Sequence, residues 1–364
     1  MPIAIPADAS SVSRLPPGIY CPTVTFFKAT EEQELDLDLH VKHMTFLARS
    51  GLSGVVLQGS TAEAVALDPE ERKILISTAK KAFIEAGNTG KIIAGTVGAQ
   101  SLREAIKLCR DAFEAGADFA LSLPPAYYPS AMTAESIQGF YEDLADKSPI
   151  PIIIYSYPGV CNGLQLDTDL ICRLARHPNV AGVKHTDHDV GRIARETAYF
   201  KANEMKSPFT ILGGATDYLL GSMAVGGQGA ITGMANVAPR VCMKAFELSL
   251  QGKHEEALEY AQAISQAEWG MGKGGILGTK YMTTWANSYP SESEIARKPL
   301  AICPEATKEH CKSVAKLIVD LERRLEKESW AGQNLGPTTV SNGSAKKSNG
   351  INNLVETVKD SLEI

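Results

Sequence analysis

In the stretch NVAGVKHTDHD, residues 179–189, an apolar run ends in Lys184 and passes at once into two histidines and two aspartates. A lysine in water keeps its proton to about pH 10.4 and is not a nucleophile. At the end of a buried strand, loss of solvation lowers that value and frees an amine able to attack a ketone carbonyl. The resulting iminium is an electron sink beside which a carbon–carbon bond can break or form. Two other readings are open. Lys184 could reach solvent and pair with a neighbouring aspartate, or His185 and His188 could hold a divalent ion together with Asp187 or Asp189. A three-residue spacing near a strand end aims the two histidines differently. No HExxH or spaced Cys/His set accompanies them, so no metal is expected.

Other groups could serve the same chemistry. Tyr155, in IIIYSYPG, is a phenol among aliphatics, and Tyr157 shares its face of the strand. It reads either as a proton shuttle or as a core tyrosine capped by a backbone carbonyl. In LQGSTAEA (57–64), Gly59 precedes Ser60 and Thr61. A tight turn there exposes N–H groups suited to a carboxylate, and Thr61 could extend a relay from a tyrosine. The plainer alternative is a helix cap, with Glu63 satisfying local backbone donors. Tyr127 and Tyr128 follow a further apolar run. Lys28 sits in polar KATEEQE and Lys91 opens its strand, so neither rivals Lys184.

The elements that must position these groups are legible as a repeat. Eight apolar, β-rich runs occur at 18–27, 54–58, 91–97, 119–125, 150–158, 180–186, 209–215 and 229–235. Near-continuous Val/Ile/Leu without alternation suits parallel strands buried on both faces. The segments between them carry helix signals. Asp68 is an N-cap before Pro69, with Ile74, Leu75 and Ala79 along one face; Ser101 starts a second helix, with Glu104 three residues on and Gly116 at its end. Eight such units predict a (β/α)8 TIM barrel, an α/β fold, over residues 16–240. The rival, a doubly wound open sheet, predicts a Gly-x-Gly-x-x-Gly after an early strand, which is missing. Helical stretches at 238–250, 253–269, 273–287 and 305–327 exceed one barrel unit, and so predict a C-terminal helical extension over 241–328. The remaining segments read as a flexible N-terminus (1–15), a polar disordered linker (329–350) and a short amphipathic tail helix (351–364).

Composition limits the partners. The 364 residues are 44% hydrophobic and 21% charged, with a formal net charge of −6. Without a basic block, nucleic acid is not an expected partner. No apolar run approaches the ~20 residues that span a bilayer, so no membrane association is expected. The N-terminal segment lacks a secretory signal, and its single arginine makes a poor mitochondrial presequence, so a cytoplasmic location is expected. Seven cysteines without a CxxC pair read as reduced thiols.

Taken in order, GSTAE, PPAYYP, YSYPG, GVKHT, GGATDYLL and GAITGMANVAP resemble the motifs of the N-acetylneuraminate lyase / dihydrodipicolinate synthase superfamily of class I, Schiff-base aldolases. The resemblance covers about residues 16–325. It implies that Lys184 forms the Schiff base, that Tyr155 is the general acid/base, and that Tyr127 and Thr61 form the relay. It also implies that Ser60, Thr61, Thr186, Gly214 and Ile231 bind substrate. No cofactor is implied, and the partners are a small 2-oxo acid and further copies of the chain, as a dimer or tetramer. Three departures stand out. Ala62 replaces the usual glycine of the turn, PGVCNG lacks the arginine that dihydrodipicolinate synthases use, and HTDHD suggests an unusual pocket around His185, Thr186 and His188. The overall pattern looks nearest to 4-hydroxy-2-oxoglutarate and 2-keto-3-deoxy-hexonate aldolases, which cleave a 2-oxo acid to pyruvate and an aldehyde. A synthase or hydro-lyase using the same lysine, and a barrel that only binds a metabolite, are the alternatives.

Overall fold

The computed structural model describes residues 14–330. The tail helix, nearly all of the expected linker and residues 1–13 lie outside the described residues. Eight parallel strands close into a barrel in chain order: β1 (Gly18–Pro22), β2 (Gly54–Leu57), β3 (Lys91–Gly95), β4 (Phe119–Ser122), β5 (Ile152–Ser156), β6 (Val180–His185), β7 (Thr210–Gly213) and β8 (Gly229–Ile231), with β1 pairing both β2 and β8. Between them run α1 (Leu37–Arg49), α2 (Pro69–Glu85), α3 (Leu102–Glu114), α4 (Ala134–Lys147), α5 (Thr168–Leu174), α6 (Val190–Ala202) and α7 (Leu219–Ala224). The caps of α2 and α3 are those expected. Asp68 accepts from the N–H groups of Glu70 and Glu71 in a capping box with Pro69 at the first position, and Ser101 accepts from that of Glu104. The buried face of α2 differs by one residue from expectation. Leu75 and Ala79 are buried, but Ile74 is 42% exposed and Ile76 takes the inner position, because the helix turns its stripe towards α1 and the barrel.

Two layers make the core. Inside the barrel, Leu15, Tyr20, Val56, Ile93, Phe119, Leu121, Ile153, Ala181, Leu212 and Ile231 pack together. A larger shell joins the outward faces of the strands to the helices. Leu15, expected in the flexible N-terminus, is fully buried in the inner layer, and its carbonyl accepts the Thr210 hydroxyl at 2.7 Å. It plugs the N-terminal end of the barrel. All seven cysteines are buried and unpaired. Among the described residues no helix is long and apolar enough to cross a membrane.

Beyond the eighth strand come α8 (Pro239–Leu250), α9 (His254–Ala286) and α10 (Glu305–Lys327). The two helices expected at 253–269 and 273–287 are one long element, broken at Gly275, whose backbone (φ 54°, ψ −134°) is non-helical and open in practice only to glycine. The segment around this break reaches the C-terminal mouth of the barrel, while α10 packs on α9 and on α8, which it joins through the buried Arg240–Glu322 pair at 2.9 Å. Trp330, expected in the linker, packs against the helices with the Lys244 ammonium over its ring.

The β5–β6 register carries the local irregularity on which the mouth depends. Ile152 faces Val180, but Ile153 faces Gly182, so β6 holds one extra residue at Ala181. From there Tyr155 pairs with Lys184. Without the bulge Tyr155 would face Val183, and the lysine would lie one residue out of step. Gly182 is required at this point, because a Cβ there would lie 2.4 Å from the Thr210 carbonyl oxygen. Gly182→Ala is therefore expected to cost at least about 2 kcal/mol in urea unfolding, the range of core strain. A loss below about 0.5 kcal/mol, as for a neutral surface change, would show that the pairing shifts freely.

Candidate active site

The C-terminal end of a barrel of this kind collects the side chains that follow each strand, and here they surround one cavity of about 600 Å³. Lys184, the next-to-last residue of β6, turns its side chain into this cavity and is only 4% exposed. Its Nζ donates to the Tyr155 hydroxyl at 3.1 Å and stands 4.2 Å from that ring's centroid. Burial pulls the lysine down to about 7, so that near neutrality a large fraction is free amine. Burial pushes the Tyr155 phenol up to about 12, a rise opposed by the Ser60 and Thr186 hydroxyls beside it. Tyr155 therefore keeps its proton while the amine loses one. Tyr157 stacks on Tyr155, with centroids 5.7 Å apart.

The loop after β2 borders the cavity with Ser60 and Thr61. Ser60–Ala62 form a single 3-10 turn in which the N–H of Ala62 bonds Gly59. The N–H groups of Ser60 and Thr61 come ahead of that first bond, so they are donors without a partner inside the turn. Ala62 faces away from the cavity, buried, with its carbonyl accepting the Thr25 hydroxyl at 2.8 Å. The left-handed residue of this turn is Glu63 (φ 55°) rather than position 62, so a glycine there is unnecessary. Glu63 does more than satisfy local donors. Its carboxylate meets Lys280 of α9 at 2.7 Å, both groups almost wholly buried, and accepts the Arg297 N–H at 2.8 Å. The ammonium of Lys280 and the guanidinium of Arg297 both lie over the Phe27 ring. The C-terminal helices thus hold the Ser60–Thr61 loop in place.

Of the residues expected at the site, Ser60, Thr61, Tyr155, Lys184, Thr186 and Gly214 line this cavity together. The hydroxyls that act on the Tyr155 phenol are those of Ser60 and Thr186, not that of Thr61. Thr186 packs its hydroxyl where a Cβ on Gly214 would stand 2.2 Å away, which explains the glycine. Two residues are not brought in. Ile231 belongs to the barrel interior, and Tyr127 is 71% exposed, edge-on to Tyr128, with its N–H on Gln100. His185 is not part of the pocket either. Its side chain faces α6, with Nε2 2.9 Å from Glu196 and Nδ1 3.2 Å from Asp187, and Asp187 also accepts from Ser156 and Arg192. Burial alone would lower His185, but the two carboxylates override it and hold the imidazole up at about 9. His188 does reach the cavity rim, against Tyr218. Among the described residues no group of three or more His, Cys, Asp and Glu side chains is gathered as metal ligands.

Several lining groups went unread in the sequence: Asp217, Glu268, Lys273 and the glycines around 275. Each sits in a helical or loop stretch where a charge looks like any solvated one. Only its distance in space from the barrel mouth distinguishes it.

Comparison with known proteins agrees with this fold. The family model described as the dihydrodipicolinate synthetase family matches residues 16–318. A protein of Emericella nidulans named probable 4-hydroxy-2-oxoglutarate aldolase, mitochondrial, is 38% identical over 86% of this chain and 98% of its own length. The L-threo-3-deoxy-hexylosonate aldolase of Aspergillus niger is 36% identical over 84% of this chain and 95% of its own. Among solved structures, a dihydrodipicolinate synthase family protein from Coccidioides immitis superposes with a TM-score of 0.77 at 39% identity, over 86% of this chain and 99% of that one. YagE of E. coli K12, solved in complex with pyruvate, gives a TM-score of 0.74 at 26% identity, over 83% and 98%.

Two outcomes follow from the geometry. A nucleophile released near neutrality should make the rate of adduct formation with pyruvate rise with pH through about 7 and then level off, as followed by borohydride quenching at timed intervals. A midpoint near the ordinary lysine value would contradict the desolvated amine. Lys280→Met leaves the Glu63 carboxylate buried without its cation, and should cost about 3–5 kcal/mol in chemical denaturation. A neutral result would mean that Glu63 turns out to solvent.

Proposed function

The chain belongs to the dihydrodipicolinate synthetase family, and we propose that it is a Schiff-base aldolase that cleaves a 4-hydroxy-2-oxo acid to pyruvate and an aldehyde through Lys184. The observation that carries this reading is the buried amine 3.1 Å from a buried phenol at the end of β6, beside the Ser60–Thr61 turn.

In this reading the substrate carboxylate sits on the Ser60–Thr61 turn, which presents its 2-oxo carbon to Lys184. The free amine attacks that carbon, and the carbonyl oxygen leaves as water after taking up the proton the nitrogen sheds and a second one from Tyr155. With the nitrogen now an iminium, the C4 hydroxyl gives up its proton and the C3–C4 bond breaks. Its electron pair moves into the iminium to give an enamine, and the C4 carbon departs as an aldehyde. The enamine takes a proton at C3, and water then hydrolyses the imine to pyruvate and the free lysine. Each proton moves at one position, the Tyr155 hydroxyl, which burial keeps protonated at rest. The electron sink is the iminium itself, so the mechanism requires no cofactor or metal.

The second half of the substrate is glyoxylate-like or sugar-like, by likeness to the two named relatives. The loop after β5 lines the cavity with Tyr157 and Val160 and carries no cation into it, which favours cleavage over the synthase reaction. Homo-oligomerisation is part of the same reading, supported by the exposed Tyr127–Tyr128 pair at 71% and 69%. The proposed compartment is the cytoplasm. Relatives from Emericella nidulans and Coccidioides immitis carry the word mitochondrial in their names, and a fluorescent fusion of the full chain decides the matter.

Lys184→Arg keeps charge and reach but cannot lose its proton. It should abolish cleavage of 4-hydroxy-2-oxoglutarate and of 2-keto-3-deoxy-hexonate while leaving the circular dichroism unchanged. Tyr155→Phe should lower kcat by about 10²–10⁴, the range of general acid–base catalysis. A loss under about fivefold would reduce that phenol to packing.

A further inference from the structure

The proposed chemistry uses the loops after β2, β5 and β6. The remaining wall of the cavity comes from the loops after β7 and β8 and from α9, through residues such as Ala215, Gly233, Met271 and Ile276. These three segments meet at one side chain. Glu268, on α9, is 8% exposed. One of its oxygens accepts the N–H groups of Thr216 at 3.0 Å and Asp217 at 2.5 Å, and the other accepts the Thr232 hydroxyl at 2.7 Å. The Thr216 and Thr232 hydroxyls are themselves 3.0 Å apart, and both residues are fully buried. Among the described residues, Glu268 forms no ion pair.

A buried carboxylate without a counter-ion is costly, and apolar packing would join a helix to a barrel at less expense. A fully hydrogen-bonded carboxylate achieves something packing does not. It fixes the orientation of two short loops relative to a helix, because every donor must stay on its acceptor. Both loops it holds, and the helix that carries it, line the part of the cavity left over once the 2-oxo acid end is placed on Lys184, Tyr155, Ser60 and Thr61.

We propose that Glu268 is a positioning residue that sets the aldehyde half of the site, clamping the β7 and β8 loops to α9 and so fixing where the substrate chain beyond C3 lies, without taking part in imine formation at Lys184. The proposal rests on the aldolase reading above. It assigns affinity for the aldehyde to a side chain that need not touch it.

The test uses the full chain in the condensation direction, with pyruvate and either glyoxylate or glyceraldehyde. For Glu268→Ala, the KM for the aldehyde should rise at least about tenfold, while the KM for pyruvate and the fraction of protein trapped by pyruvate and borohydride stay within about twofold. Glu268→Gln should recover most of the loss, because the amide oxygen accepts the two N–H groups and the amide nitrogen donates to Thr232. Thr232→Val, which removes one donor and keeps the branched shape, should give a smaller rise in the same direction, and it serves if Glu268→Ala fails to fold. An aldehyde KM unmoved in the folded variants, with trapping intact, overturns the proposal alone. A fall in kcat without a change in KM for Glu268→Gln overturns it in favour of direct proton exchange. Absence of trapped pyruvate in the unaltered protein overturns the aldolase reading, and this proposal with it.

Discussion

Withdrawal of the Lys184 amine from water is the constraint on which the rest of this structure depends. A lysine held near 7 instead of 10.5 penalises folding by on the order of 4 kcal/mol at neutral pH. For a cation whose pKa is lowered on folding, the penalty is full below about pH 7 and fades as the pH rises towards 10.5. The protein carries that cost on a strand whose preceding side chains, Val180 to Val183, are buried and apolar or small. It offsets the cost with a deep two-layer core and a floor closed by Leu15. What is obtained in return is a base that is available near neutrality and a phenol beside it that is not.

Placement matters as much as burial. The extra residue at Ala181 brings Lys184 level with Tyr155, and Gly182 lets β7 approach closely enough to permit it. On the outer face of the same strand, the next residue, His185, is held between Asp187 and Glu196 and tied through Asp187 to Arg192 and Ser156. That polar cluster anchors the end of β6 to α6, so the lysine one position earlier cannot rotate out. The Glu63–Lys280 pair does for the Ser60–Thr61 turn what the histidine does for the lysine strand. In both cases a buried pair of charges, poor as a source of net stability, holds a loop in one geometry.

The barrel and its central pair were legible because they follow from short-range pattern. Eight apolar runs separated by capped helices leave few topologies, and a lysine ending such a run has few explanations. The family motifs then named Tyr155, Ser60, Thr61, Thr186 and Gly214, which line the cavity, and Tyr127 and Ile231, which do not. What stayed illegible depends on contacts between distant segments. Glu268 and Lys280 look like ordinary charges on an amphipathic helix, and nothing within α9 reveals that 217 residues separate Lys280 from its partner. Ile74 falls on the outer face and Ile76 on the inner one, because an apolar stripe one residue wide can run two ways along α2. Ala62 looked like a defect because the motif expects glycine there, whereas the left-handed residue is its neighbour. His185 and His188 were grouped by sequence and are separated by the strand, one facing α6 and the other the rim.

The central claim is that Lys184 is the covalent nucleophile. Incubating the unaltered protein with pyruvate, reducing with borohydride and mapping the adduct by peptide mass spectrometry tests it most directly. The account predicts a single reduced pyruvate per chain, carried on the peptide containing Lys184. An adduct on another lysine, or none under conditions where the protein turns over substrate, would contradict it.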